Sequence, residues 1–427
     1  MSLVLAISQF PLWKFTTNGS IQCFYNFVTS TYDSSRIIWL ILSDLDIELD
    51  NPYKANEGLM LNNKHQNVYV HNIQHPDTEK IVFDFLKSQE RGSAITEMIT
   101  LDILPGMWGL KIKTQLPTIQ NWTHLCTLHY SKNVKVLIDE CVIKDTKSYE
   151  SFFINEIEIA KHASTYVTVS QSECAWIQTI VPSATPIIYY PTRLWWPTSL
   201  FTCANVNTNE SPSNITYIRK QHPDKLLILY IGRITHQKGI QQLLQTNIPA
   251  NVHFVMMSST AFGDEGLVQT IQTVAKERPN MLTWIGPHYG ADKIKIIQQC
   301  DAVICPSVFE PFGLVGLETL LFTDTLLIAS GVDGMNDYTV EGGFIKCGTT
   351  SASIEQTIAS FVCMDVATRR CISQKGKIHA TQCVDKWSQS SQRQMNVLAK
   401  PLGAALQSIP LPPIQTIENV VDIARRQ

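Results

Sequence analysis

The chain has 427 residues, 44% of them hydrophobic, which is too long for a single core and enough to fill two. A formal net charge of −3 excludes any global pull toward nucleic acid or an anionic membrane surface. No stretch approaches the roughly 20 apolar residues that a membrane span requires. The elements begin with an apolar strand over 3–7; it lacks a basic lead and runs into Pro11 and Trp13, so it reads as a strand and not as a signal peptide. Further strands are expected over 37–42, 68–70, 98–101, 125–128, 134–138, 166–169 and 186–189, with helical patterns over 78–87 and 149–162. Residues 194–224 lose periodicity and are rich in Pro, Asn, Ser and Thr, which reads as a linker or surface excursion. A second run opens with strand 226–231 and continues with 252–256, 282–284, 302–305 and 326–329, with helices between. From Val384 the chain reads as helical and then runs into the Pro-rich stretch 409–413.

Strands alternating with helices imply parallel sheets, and the break in the middle implies two of them. The expected architecture is α/β, with two doubly wound Rossmann-like domains facing across a cleft. The boundaries are 1–195 for the first domain, 196–224 for the linker, 225–383 for the second and 384–427 for a helical tail crossing back to the first. Eleven cysteines without a C-x-x-C pair point to reduced thiols in a cytosol-like compartment, so a cytoplasmic location is expected. Their spacing does not suggest a zinc site. The two Asn-x-Thr sequons, at Asn121 and Asn214, read as chance matches.

Two segments carry chemistry. The first is Gly232-Arg233-Ile234-Thr235-His236-Gln237-Lys238-Gly239, which follows a strand. Glycine permits a tight turn, and two cations at a strand's carboxyl end suit a diphosphate, Arg233 as a planar fork and Lys238 as a point charge. Taken alone, the segment reads equally well as a solvated basic turn. The second is Pro306-Ser307-Val308-Phe309-Glu310-Pro311-Phe312-Gly313-Leu314-Val315-Gly316-Leu317-Glu318. A buried strand, a turn and an apolar helix put Glu310 at the strand end and Glu318 about two turns on. The first helical turn has free N–H groups and positive dipole, which suits a phosphate.

With both segments in this order, the chain resembles retaining glycosyltransferases of the GT-B fold, most of all the starch and glycogen synthase branch. That branch has a Gly-Arg-x-x-x-x-Lys-Gly turn and a Pro-Ser-x-x-Glu-Pro-x-Gly-Leu-x-x-x-Glu motif. Thr127-Leu128-His129-Tyr130, the strand end Val167-Thr168-Val169-Ser170, the turn from Ser330 to Asp337 and Trp387 are similar to further family segments. The resemblance implies that Arg233 and Lys238 bind and stabilise the leaving diphosphate. Glu318 would hold the donor ribose and Glu310 the sugar hydroxyls, helped by backbone N–H groups around Phe312, Gly313 and Leu314. His129 would reach the donor sugar from the first domain. Gly19 and Ser20 would stand for the family's Lys-x-Gly-Gly-Leu loop, from which this sequence departs: one glycine remains and Lys14 lies further upstream. Thr323-Asp324-Thr325, where the family has a glycine, reads as a local change of turn.

The implied activity is hexose transfer from a UDP-, ADP- or GDP-linked sugar to an acceptor that the sequence does not name. No cofactor and no metal are expected; Asp44-Leu45-Asp46 matches an Asp-x-Asp pattern but reads as a solvated turn. Two other readings compete, a glycoside-cleaving enzyme using Glu310 and Glu318 and a catalytically silent scaffold of the same fold. Trp13, Trp108, Trp122, Trp195 and Trp196 would either stack on an acceptor or fill the core.

Overall fold

The computed structural model describes residues 3–9, 19–32, 36–43, 68–72, 76–89, 94–196, 200, 213–260 and 263–398. Lys14, Trp13 and the Asp44–Asp46 pattern lie outside the described residues.

Strands β1 (Leu3–Ser8), β2 (Ile37–Ser43), β3 (Val68–Asn72), β4 (Ile95–Leu101), β5 (Asn121–Leu125), β6 (Thr165–Thr168) and β7 (Ile187–Ile188) form one sheet in the order β3-β2-β1-β4-β5-β6-β7. Strands β8 (Leu226–Ile231), β9 (Val252–Met257), β10 (Leu282–Trp284), β11 (Ala302–Cys305), β12 (Leu326–Ala329) and β13 (Ile345–Lys346) form the other, in the order β10-β9-β8-β11-β12-β13. Every pairing is parallel, with Val4 opposite Ile37 in the first sheet and Ala302 opposite both Ile228 and Leu326 in the second. Parallel strands need helical crossovers that cover both faces, so they carry continuous apolar runs. Val4, Leu5, Ala6 and Ile7 are all buried, as are Ala302, Val303, Ile304 and Cys305.

In each sheet the strand order reverses once, between β1 and β4 and between β8 and β11. Helices leave to opposite faces at such a reversal and open a crevice beyond the strands' carboxyl ends. That geometry decides where a ligand can sit.

The long helix Val366–Leu398 packs back on the segment that follows the first sheet. Its Trp387 stacks on Tyr190 with centroids 4.3 Å apart and meets Phe312 edge-on at 5.9 Å. Arg193 Nε reaches Asp385 at 2.6 Å. None of the described helices is long and apolar enough to cross a membrane.

The structure corrects several expected elements. Residues 134–138, expected as a strand, lie in the helix Tyr130–Asp139. The β-branched run suggested a strand, but Val134 and Leu137 are the buried positions, three apart on one helical face. The strand expected at 125–128 ends at Leu125, because the chain turns there into that helix. Within 194–224, Ser213–Gln221 is helical and buries Ile215 and Ile218. The tail helix begins at Val366, not Val384.

Candidate active site

A cavity of about 790 Å³ lies between the two sheets, a size that suits a small-molecule ligand. Its wall includes Gln9 after β1, Asp102 after β4, Gly232 and Arg233 after β8, and Ser307 and Glu310 after β11. All four strands that flank the two switch points therefore end in this cavity.

The basic turn is built by close approach. Tyr230 Oη donates to the Arg233 carbonyl at 2.8 Å and pins the turn to β8. Arg233 Nη2 donates to Gln237 Oε1 at 3.3 Å, and the Gln237 carbonyl accepts from Val308 N at 3.0 Å. Gly239 ends the turn in the left-handed region, with φ 68°. A Cβ there would stand 2.0 Å from the Pro306 carbonyl oxygen, so this glycine lets the two motifs touch. Lys238 Nζ then reaches Glu310 Oε2 at 2.5 Å, and Ser307 Oγ donates to the same oxygen at 3.1 Å.

Glu310 is held at both backbone ends. Its carbonyl accepts from Gly334 N at 3.0 Å, and its N–H donates to Asp333 Oδ2 at 3.3 Å. Gly313, with φ 86°, caps the helix Leu314–Phe322, and Tyr338 Oη donates to the Gly313 carbonyl at 2.7 Å. Phe312, Gly313, Leu314, Val315 and Gly316 line the cavity, so the helix presents its unpaired N–H groups there. Glu318, four residues into the helix, is bonded at both oxygens: Trp196 Nε1 donates to Oε1 at 3.1 Å and Lys293 Nζ to Oε2 at 2.6 Å.

The helix Gly19–Thr31, which follows β1, supplies Ser20, whose Oγ lies 2.7 Å from Thr127 Oγ1. Gly19 opens the helix Gly19–Thr31 beside it. The structure thus brings Arg233, Lys238, Glu310, Glu318, Phe312, Gly313, Leu314 and Ser20 to one cavity.

His129 is the departure. It is fully buried at the start of the helix Tyr130–Asp139 and is not part of the cavity wall, although Leu128 and Tyr130 on either side are. Its ring bonds Glu173 Oε2 through Nδ1 at 2.8 Å and stacks on Tyr166. Burial opposes its positive charge, but Cys126 and Glu173 beside it outweigh burial and raise its pKa well above the usual histidine value.

Glu173 also accepts from His129 N at 2.9 Å and from Lys132 Nζ at 2.9 Å. Lys132 in turn bonds Asp333 Oδ1 at 2.9 Å, and the other oxygen of Asp333 holds the Glu310 N–H. A buried ion network therefore ties the first sheet to the motif of the second. Burial alone would raise the Glu173 pKa; His129 and Lys132 hold it below the usual value of 4.5. A lowered carboxyl pKa contributes stability that is present above that value and is lost as pH falls through the folded pKa. Glu173→Gln should cost about 3–5 kcal/mol, because it removes the buried carboxylate that pairs with His129 and one of the two carboxylates that pair with Lys132. Thermal melts at pH 7.5 and at pH 4 test this, since the variant should lose less on acidification than the wild type.

Of the tryptophans, Trp122 is core and donates to Thr100 Oγ1 at 2.9 Å, while Trp108 lies outside the cavity under Lys111. Trp195 lines the cavity and Trp196 reaches Glu318. Sequence reasoning missed Lys293, Asp102 and the Trp196 contact. Asp102 carried a signal, a lone acid directly after an apolar strand. Lys293 carried none, since its distance from Glu318 exists only in the fold.

Two doubly wound parallel sheets whose switch points share one cavity define the GT-B class of protein. Residues 215–378 match the family described as glycosyl transferases group 1. Soluble starch synthase 1 of rice (Oryza sativa) is 36% identical over 123 residues, which are 28% of this chain and 18% of that one. The alpha-maltose-1-phosphate synthase of Mycolicibacterium smegmatis is 29% identical over 122 residues, covering 27% of this chain and 31% of that one. These matches span less than a third of either relative's length. Sucrose-phosphate synthase from Thermosynechococcus elongatus is similar in structure, with a TM-score of 0.68 at 15% identity over 94% of this chain and 100% of that one. The Anabaena protein HepE, solved in complex with UDP-glucose, gives 0.65 at 17% identity over 93% and 100%. At such identities the likeness is one of fold.

Proposed function

We propose that the protein is a retaining glycosyltransferase that moves a hexose from a nucleotide-diphosphate sugar to an acceptor, without a metal ion. The observation that carries this reading is the meeting of Arg233, Lys238 and the helix N-terminus at Gly313 on one cavity wall. Breaking a sugar–phosphate bond leaves negative charge on phosphate, and fixed cations and N–H groups aimed there are the largest catalytic contribution available. Arg233 and Lys238 stabilise the leaving diphosphate. Glu310 takes the sugar hydroxyls and keeps Lys238 in place. Glu318 takes the ribose, oriented by Lys293 and Trp196. Enclosure between the sheets limits water and so favours transfer over hydrolysis. The family and the UDP-glucose held by HepE support a sugar-nucleotide donor.

The glycoside-cleaving reading is weaker here. A hydrolase needs one carboxyl as proton donor, whereas Glu310 and Glu318 are each already the acceptor in a lysine salt bridge. The test is to incubate the protein with UDP-, ADP- and GDP-glucose and sugar acceptors and follow nucleoside diphosphate release. One donor should turn over, the rate should be unchanged by EDTA, and the product should keep the donor's anomeric configuration by NMR. An inverted product, or loss of activity in EDTA restored by a divalent cation, contradicts the mechanism.

A further inference from the structure

Asp333 does not line the cavity, yet both of its carboxylate oxygens are used, and they face opposite halves of the molecule. Oδ2 accepts the Glu310 N–H at 3.3 Å, in the half built on the second sheet. Oδ1 accepts from Lys132 Nζ at 2.9 Å and from Ser172 Oγ at 2.8 Å, both in the half built on the first. Lys132 lies on the helix Tyr130–Asp139, and Ser172 in the first turn of the helix Gln171–Ile180. Lys132 also sits over the Phe309 ring, 5.1 Å from its centroid, so it touches the Glu310 segment directly. Asp333 has φ 49°, in the left-handed region where glycine is the residue without cost. The short helical turn Asp333–Asp337 ends on a second such carboxylate: Asp337 Oδ2 accepts from Gln171 N at 2.9 Å and from Tyr190 Oη at 3.0 Å. On its other side the same turn carries the donor-site segment, since Gly334 N donates to the Glu310 carbonyl at 3.0 Å.

We propose that Asp333 is a positioning residue that sets Glu310 from across the molecule, with Lys132 and Ser172 as its hold on the first half. The Lys132 ammonium and the Glu310 N–H are both donors, so a bridge between them needs an acceptor at each end. Asp333 supplies those two oxygens at a backbone position that glycine would occupy more cheaply. The inference rests on the transferase reading and divides the donor site in two. The diphosphate is met first by Arg233, whose turn is pinned within the second half by Tyr230. The sugar is met by Glu310, whose N–H bonds a carboxylate that the first half holds. Loss of the bridge therefore weakens recognition of the sugar and leaves that of the diphosphate.

The test is Asp333→Asn, which keeps the size and tolerates positive φ better than most residues. It leaves one acceptor oxygen where two are used, and its NH2 group meets a donor whichever way the amide turns. UDP-, ADP- and GDP-glucose and the three free nucleoside diphosphates are titrated into wild type and variant, and nucleoside diphosphate release is followed alongside. For the nucleotide that the wild type accepts, the variant should bind the free diphosphate as the wild type does and the sugar nucleotide more weakly. Turnover should fall about 100-fold, as expected when a reacting group is displaced by about 1 Å. Wild-type turnover, or an equal loss of affinity for the sugar nucleotide and the free diphosphate, overturns the proposal while leaving the transferase reading intact. A wild type that binds none of these nucleotides removes the transferase reading and this inference with it. If Asp333→Asn does not fold, Ser172→Ala decides: it removes one hydrogen bond to Oδ1 and should lower turnover about 3–10-fold, with the same selective loss of sugar-nucleotide affinity. Wild-type turnover and affinities in Ser172→Ala overturn the assignment.

Discussion

Arg233→Ala should lower the turnover number for sugar transfer by about 10²–10³-fold, the loss seen when one preorganised charge-stabilising donor is removed from an active site. That corresponds to about 2.7–4 kcal/mol of transition-state stabilisation. Its guanidinium donates to Gln237 Oε1 at 3.3 Å, a long bond that adds little to stability. The variant should therefore melt close to the wild type. Lys238→Ala should lose as much activity but also some stability, because it strips Glu310 of its 2.5 Å partner in a buried setting. Steady-state rates and melting curves of the two variants separate these effects. Full activity in Arg233→Ala would remove the arginine from the mechanism.

Gly239→Ala should be severely damaging for the addition of a single methyl group. The added Cβ would meet the Pro306 carbonyl oxygen at 2.0 Å, and the residue would sit at φ 68°. A left-handed backbone costs a non-glycine residue about 1–3 kcal/mol, and the overlap is with backbone, which cannot rotate away. Relief requires the basic turn to withdraw from Pro306-Ser307, and that separates Lys238 from Glu310. The same argument applies to Gly334, whose Cβ would stand 2.0 Å from the Pro311 carbonyl oxygen. Expected results are a clear drop in melting temperature and loss of donor binding together. Gly286→Ala is the control: it also has positive φ, at 72°, but nothing lies within 4 Å of its Cβ. It should cost only the backbone penalty.

The two motifs on the cavity wall were legible in sequence because their spacing is local. Within Gly232–Gly239 and Pro306–Glu318 the turn glycines, the cations and the carboxylates lie on single strand–turn–helix units, so spacing alone orients them. The buried strands were legible for a similar reason, since double-sided burial leaves uninterrupted apolar runs such as Val4 to Ile7. The failures share a different cause. The run at 134–138 is rich in β-branched residues, and only packing against the helix Thr146–His162 settles it as a helix. His129 follows a strand end, as cavity residues do, but its ring turns inward because Glu173, some forty residues on, offers it a buried acceptor. Asp102 and Lys293 act through partners from distant segments, and no periodicity reports such pairs. In the structure His129 bonds Glu173, which continues through Lys132 and Asp333 to the Glu310 backbone.

The most direct measurement is isothermal titration of UDP-, ADP- and GDP-glucose into the wild type and into the Arg233→Ala, Lys238→Ala double variant. The account predicts that one of these sugar nucleotides binds the wild type, that its free nucleoside diphosphate binds as well, and that the double variant binds both at least about 100-fold more weakly, as expected for loss of two charge-assisted contacts of about 1.5–3 kcal/mol each. Equal binding by the two proteins, or no binding by the wild type to any of the three, would contradict it.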